Sequence, residues 1–202
     1  IAQWAAMIHV APILQASFTS HSYSCIKGKG IHPLSYDLRD ALKDVENTKY
    51  CLKLDIKKFY SNIDHTILKT QLRRKLKDKD LLYFLDEIID SSPGLPIGNY
   101  TSQHFSNFYL KGFDHWLKEN IRVKKCFRYA DDIVILSGSK EYLHGVLAKI
   151  REYFKEYLKL EIKDNYQIFL VESRGIDIVG YRHFHTHVLI RKSIKQNCAR
   201  KL

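Results

Sequence analysis

One ten-residue stretch, Phe127-Arg128-Tyr129-Ala130-Asp131-Asp132-Ile133-Val134-Ile135-Leu136, constrains the fold more than any other part of the chain. Its flanks have strand composition and its middle has turn composition, so "KKCFRYADDIVILSG" reads as strand, tight turn, strand. Adjacent residues of a straight strand point to opposite faces, and two neighbouring aspartates act together only at or beside such a turn. The apolar run Ile133 to Leu136 then anchors the hairpin in a core. Two anions this close repel each other, which is tolerated in water or beside a cation. Taken alone, the pair reads as a solvated turn, since aspartate is a common turn residue.

A third carboxylate changes that reading. "YCLKLDI" alternates as a half-buried strand, with Leu52 and Leu54 on one face and Cys51, Lys53 and Asp55 on the other. Asp55 thus leaves a second strand on its non-core face. Three carboxylates from two neighbouring strands form a hard, oxygen-only site suited to Mg²⁺, which keeps places for phosphate and water. Phosphoryl transfer is the chemistry this spacing supports.

The remaining pattern sets the fold class. "IAQWAAMIHVAPILQASF" reads as a helix perturbed at Pro12, and "HPLSYDLRDALKDV" as a short amphipathic helix. Helical spacing runs from Asp64 to about Asp90 and is broken by "SSPGLPIGN"; a further helix starts near Thr101 or Ser102, either of which can cap it, and runs to about Glu119. Ser139 caps a helix with an apolar stripe of Tyr142, Leu143, Val146, Leu147, Ile150, Tyr153, Phe154, Tyr157 and Leu158. "YQIFLV", "GIDIVGYRHF" and "HVLIRK" read as strands. This order predicts an α+β protein, an antiparallel sheet with helices packed on one face.

Bulk properties narrow the partners less sharply. A chain of 202 residues supports one sizeable domain, and its formal charge of +11 favours an anionic partner, nucleic acid or a membrane surface. Cys25, Cys51, Cys126 and Cys198 form no CxxC pair, which argues against a zinc ribbon or a disulfide framework and suits a reducing cytosol. No apolar run reaches transmembrane length and no secretory signature opens the chain, so a soluble, cytoplasmic protein with no membrane partner is expected.

The box Tyr129-Ala130-Asp131-Asp132 inside "FRYADDIVIL" resembles the signature hairpin of reverse transcriptases, and other blocks occur in the family's order. "LKLDIKKFYSNIDH" resembles its first catalytic strand, "GLPIGNYTSQHFSNFYL" its template and nucleotide helix, and "RGIDIVGYRHF" the segment after the palm sheet. "HSYSCIKGKGIH" resembles a stretch of bacterial retroelement enzymes. Ser102-Gln103, where intron and retroviral enzymes usually carry Ser-Pro, is similar to diversity-generating retroelement enzymes. The match runs over almost all of the chain.

The resemblance implies a right-hand polymerase palm of ferredoxin-like topology with partial helical fingers, performing RNA-templated DNA synthesis. It implies two Mg²⁺ ions, with Mn²⁺ as an alternative, held by Asp55, Asp131, Asp132 and the Ile56 carbonyl. Tyr60 would be the steric gate against a ribose 2′-hydroxyl. Main-chain N–H groups of Lys58 and Phe59 would meet the triphosphate. Gly98 would let the backbone approach the base pair. Ile97 replaces a retroviral glutamine that contacts the nucleotide, which implies looser base selection. Gln103 and Asn107, four apart on a helix, would share a face toward template or nucleotide. The family lysine that protonates pyrophosphate would fall near Tyr166, leaving Lys163 as a weak substitute. Arg128 is either a phosphate contact or a solvated strand residue. The partners implied are an RNA template, a DNA or RNA primer, deoxynucleotides and an accessory retroelement protein.

Residues 1–49 and 63–97 would be fingers, 50–62 and 98–182 palm, and 183–202 a hairpin leading toward the thumb. The fingers hairpin is expected before Ile1 and the thumb after Leu202, so weak activity is expected of the fragment. Lys27 and Lys29, in a glycine loop, are candidate phosphate contacts. In the tail, Arg191, Lys192, Lys195, Arg200 and Lys201 are either near the duplex backbone or a solvated basic helix. His183, His185 and His187 alternate and mimic a metal site, or else form a hairpin tip that touches solvent or nucleic acid. Two rivals keep a similar fold: a non-catalytic nucleic-acid scaffold, against which three anions argue, and a nucleotide cyclase, against which "LPIGNYTSQ" and Tyr60 argue.

Overall fold

The computed structural model describes residues 2–200; Ile1, Leu202 and the tail residue Lys201 lie outside the described residues. In chain order the elements are α1 (Ala2–Gln15), α2 (Ile31–Ala41), β1 (Tyr50–Asp55), α3 (His65–Lys75), α4 (Lys79–Asp90), α5 (Tyr100–Glu119), β2 (Lys125–Tyr129), β3 (Asp132–Ser137), α6 (Lys140–Tyr153), β4 (Gln167–Leu170), α7 (Val171–Arg174), β5 (Ile176–Ile178), β6 (Tyr181–His183), β7 (Val188–Ile190) and α8 (Lys192–Ala199). Strands β2-β3-β1-β4 form one antiparallel sheet in that order, and β5-β6-β7 form a second. The predicted α+β class, with its antiparallel sheet and helical layer, is what the chain adopts.

The period-2 pattern of the strands explains the layering. Leu52, Leu54, Ile133 and Ile135 bury one face under α1, α3, α4, α5 and α6. The opposite face is graded along the strands. At one end Cys51, Leu136, Phe127 and Val134 are buried against Leu34 and Leu38 of α2, its C-cap Leu42, and Ile176 and Ile178 of β5. At the other end the same face carries Lys53, Asp55 and Asp132, which lie outside that core, and Tyr129, which packs against its edge. Cys51 therefore does not face solvent as its alternation suggested; a second, smaller core encloses it.

Some boundaries differ from expectation for identifiable reasons. α1 continues through Pro12 to Gln15, because Val10, Ala11 and Leu14 are buried on the main core and offset the lost backbone bond. α5 starts at Tyr100 with Asn99 as its N-cap, while Thr101 is turned to Gln3 of α1 and Ser102 is buried inside the helix. Tyr142 and Tyr157 of the apolar stripe are exposed, although Ser139 does cap α6 through the Tyr142 N–H. Among the described residues no helix is long and apolar enough to cross a membrane.

Candidate active site

The hairpin turn is built for its two carboxylates. Tyr129 and Asp132 are cross-strand partners, so Ala130 and Asp131 alone make the turn. Ala130 takes φ +54°, the positive value that two-residue hairpin turns of the primed types demand. On the other side, Asp132 pairs directly with Asp55 at the end of β1. Directly opposed residues share a face, and the three carboxylates thereby adjoin at the charged end of the sheet.

Their electrostatics are those of a site short of positive charge. Burial, then the charges of Asp55 and Asp132, raise the Asp131 carboxyl above the ordinary range. Burial raises Asp132 as well, with Asp55 adding to the effect and Lys53 opposing it. Two lysines answer part of this charge. Lys163 Nζ lies 2.8 Å from Asp55 Oδ1, and Lys53 Nζ lies 3.7 Å from Asp132. The Asp55 contact holds the Lys163 ammonium above its ordinary value. Among the described residues no three His, Cys, Asp or Glu side chains stand in a closed metal-holding cluster.

The donor set nonetheless fits a hard divalent cation: three carboxylates, those of Asp131 and Asp132 raised, and a free main-chain oxygen. The bonds from Lys163 N to Asp55 O (2.9 Å) and Lys57 N to Glu161 O (2.8 Å) flank the Ile56–Ile162 bridge and leave the Ile56 carbonyl without a partner among the described residues.

Tyr60 is half-buried beside this centre, edge-on to Phe59 at 5.5 Å and bonded to Ser106 at 3.4 Å; burial raises its hydroxyl pKa, and the charge of Asp131 adds to the rise. Lys58 takes φ +45°, and the N–H groups of Lys58 and Phe59 have no acceptor among the described residues. Ile97 is 85% exposed, and Gly98 takes φ +99° in open space, so this glycine meets a backbone demand rather than a crowded one. Gln103 is exposed and accepts from Cys25 Sγ at 3.3 Å.

Other expectations are corrected. Arg128 is neither solvated nor available to phosphate: it is fully buried on the helix-facing side of β2 and ion-paired with Asp114 at 2.6 Å. Asn107 is enclosed too, its amide spent on Ser24 O and Arg128, so it faces the interior rather than a template. Lys29 donates to Ser20 O at 2.7 Å and covers the Tyr23 ring, whereas Lys27 is exposed. The three histidines do not converge: His183 is buried on Ser35 (2.8 Å), His185 meets Thr48 (3.2 Å) and His187 stacks on Phe184. Tyr166 packs against the core under Arg151, while Lys163 is the lysine brought to the site.

A basic cleft of about 450 Å³ continues from the carboxylates between the two sheets. Lys53 and Gln167 line both the carboxylate pocket and this cleft, where Arg174, Arg182 and Arg191 join them. Arg191 is ion-paired with Asp177 at 2.5 Å; Lys192 and Lys195 lie on the solvent-exposed α8. A larger hollow, about 560 Å³, sits at the far end of the sheet around Ser137 to Ser139, away from the carboxylates.

Sequence reasoning gave no role to Lys53, Asp114 or Gly94. Lys53 carried a signal, being two residues from Asp55 on the same strand face. Gly94 takes φ +65°, and a Cβ there would lie 2.4 Å from Tyr60 O, so the 93–98 loop rests directly on the backbone of Tyr60.

An antiparallel sheet with carboxylates at the tip of its central hairpin and at the end of the neighbouring strand is the architecture of a right-hand polymerase palm. The sequence matches the family "Reverse transcriptase (RNA-dependent DNA polymerase)" over residues 5–183. The chain belongs to that family. In fold it is similar to apo telomerase from Candida tropicalis (TM-score 0.68, 15% identity, 93% of this chain and 40% of that one). It is similarly close to telomerase from Candida albicans in complex with a TWJ fragment of telomeric RNA (TM-score 0.70, 14% identity, 93% and 38%). The chain therefore spans about two fifths of those structures' length. No curated protein matches it.

Proposed function

We propose that this chain is the palm-centred part of an RNA-directed DNA polymerase that adds deoxynucleotides to a primer 3′-hydroxyl. The observation that carries this reading is the direct pairing of Asp55 with Asp132, with Asp131 in the adjoining turn and Tyr60 beside it. Asp55, Asp131, Asp132 and the Ile56 carbonyl would hold Mg²⁺ or Mn²⁺, which when bound activates the attacking hydroxyl and neutralises charge on the phosphates. Lys53 and Lys163 balance the carboxylates until then. Lys163, once released from Asp55, is the cation placed to give a proton to departing pyrophosphate. The free N–H groups of Lys58 and Phe59 orient the triphosphate, and the Tyr60 ring crowds a 2′-hydroxyl. The basic cleft beside the carboxylates takes the backbone of the primer or template strand. The telomeric RNA bound by the Candida albicans neighbour supports a nucleic-acid partner for this palm.

Primer extension on RNA and DNA templates with Mg²⁺, comparing the intact protein with Asp131→Ala, tests the reading. Extension by the wild type and its loss in the variant are expected. Extension that survives the substitution sinks the mechanism, and RNA binding without any extension by the wild type favours a scaffold.

A further inference from the structure

Arg128 sits one residue before the Tyr129-Ala130-Asp131-Asp132 box, is completely buried, and uses every N–H of its guanidinium. Nε and one terminal nitrogen grip Asp114 of α5 at 2.8 and 2.6 Å, and that terminal nitrogen also meets Ser22 Oγ. The other terminal nitrogen donates to Asn107 Oδ1 and to the carbonyl of Ala130, both at 3.0 Å. The backbone of Arg128 is held as well: its N–H donates to His21 O at 2.8 Å and its carbonyl accepts from Tyr23 N at 3.0 Å. Three segments thus converge on one side chain: the 19–25 strap, α5 and the hairpin turn.

A buried ion pair is a weak source of stability, because desolvation consumes most of the Coulombic gain. What an apolar replacement could not supply is direction. The bond to the Ala130 carbonyl acts on the positive-φ residue of a two-residue turn, whose other residue is Asp131. A planar fork fixed on four sides suits this task, and a lysine, as a single point charge, does not.

We propose that Arg128 is a positioning residue: locked by Asp114, Asn107 and Ser22, it fixes the Ala130 carbonyl and so sets where Asp131 stands relative to Asp55 and Asp132. The proposal rests on the polymerase reading of those carboxylates. Outer partners of metal ligands commonly cost about 10- to 100-fold in metal affinity or activity when removed, and a comparable effect is expected here.

The test is Arg128→Lys in the intact protein, read by thermal melting, by Mn²⁺ binding in electron paramagnetic resonance, and by primer-extension kinetics. A folded variant should bind Mn²⁺ about 10- to 100-fold more weakly and lose kcat, with KM for deoxynucleotide and affinity for RNA unchanged. A purely structural role would lower the melting temperature without moving Mn²⁺ affinity in the folded protein. A folded variant with wild-type Mn²⁺ affinity and kcat overturns the proposal. Should Arg128→Lys not fold, Asp114→Asn and Ser22→Ala leave the arginine in place, loosen its aim and carry the same expectation. The two readings fail separately. Asp131-dependent Mn²⁺ binding without primer extension removes the polymerase assignment and leaves the Arg128 measurement valid. No Asp131-dependent binding in the wild type overturns both.

Discussion

At the level of single residues, chemistry was legible where it was local. Asp131 and Asp132 are adjacent, and Asp55 follows from strand alternation; the register that pairs Asp55 with Asp132 then brings all three together. The ion pair of Arg128 with Asp114 was not legible. Its partners lie 14 residues apart on a helix and a strand, and no periodicity links them. On the proposed polymerase reading the Tyr60 ring crowds a ribose 2′-hydroxyl, so Tyr60→Ala should incorporate ribonucleotides about 10-fold or more better relative to deoxynucleotides, measured by competition in primer extension. Unchanged sugar selection in an active variant would remove the gate. Lys111 makes a prediction about stability. Burial, with repulsion from Lys75 and Arg74, lowers its ammonium to about 8 while it rests on the Phe108 ring. A lysine lowered in the folded state costs stability at pH 7, where folded and unfolded chains both hold the proton. That cost fades as pH rises through 8 toward the unfolded value. Lys111→Met should therefore stabilise the fold at pH 7 by about 1 kcal/mol, after solvent screening of its exposed part, and lose the advantage by pH 10. Urea unfolding at both pH values checks it.

At the level of elements, strong periodic signals survived and loop geometry did not. The hairpin, α2, the helices from Asp64 to Asp90 and the Ser139 cap followed from spacing and capping chemistry. The course of the 93–98 loop did not, because a glycine's sequence context does not say which backbone approaches it. Gly94 has both a positive φ and the Tyr60 and Ser61 carbonyls within 2.6 Å of any added Cβ. Gly94→Ala should destabilise by about 2 kcal/mol or more and also disturb the Tyr60 backbone, whereas Ser139→Ala should cost about 1 kcal/mol and leave the site unaffected. Denaturant melts of the two variants, followed by sugar-selection assays, distinguish them. Equal effects on selection would mean that the loop does not support the gate.

Across the whole molecule, the division of the second sheet face between a small core and a charged end decides where a polymer can lie. Composition indicated an anionic partner but could not place it, since the formal charge of +11 is a property of the sum. The fold gathers Lys53, Arg174, Arg182 and Arg191 into one cleft beside the carboxylates, with Asp177 offsetting part of that charge through Arg191. Arg174 and Arg182 are the two arginines least committed there: among the described residues Arg174 holds Gln167 and the Phe169 ring, and Arg182 stands 3.9 Å from Asp177. If a nucleic-acid strand follows this cleft, each releases about one counterion's worth of salt dependence on binding. The double variant Arg174→Gln, Arg182→Gln should lower the slope of log affinity against log salt by about 2, measured with a primer–template duplex at several salt concentrations, while KM for deoxynucleotide stays unchanged. An unchanged slope would mean that the strand leaves the carboxylates by another route, past the exposed Lys192 and Lys195 of α8, and the same titration on Lys192→Gln, Lys195→Gln would then show the loss instead.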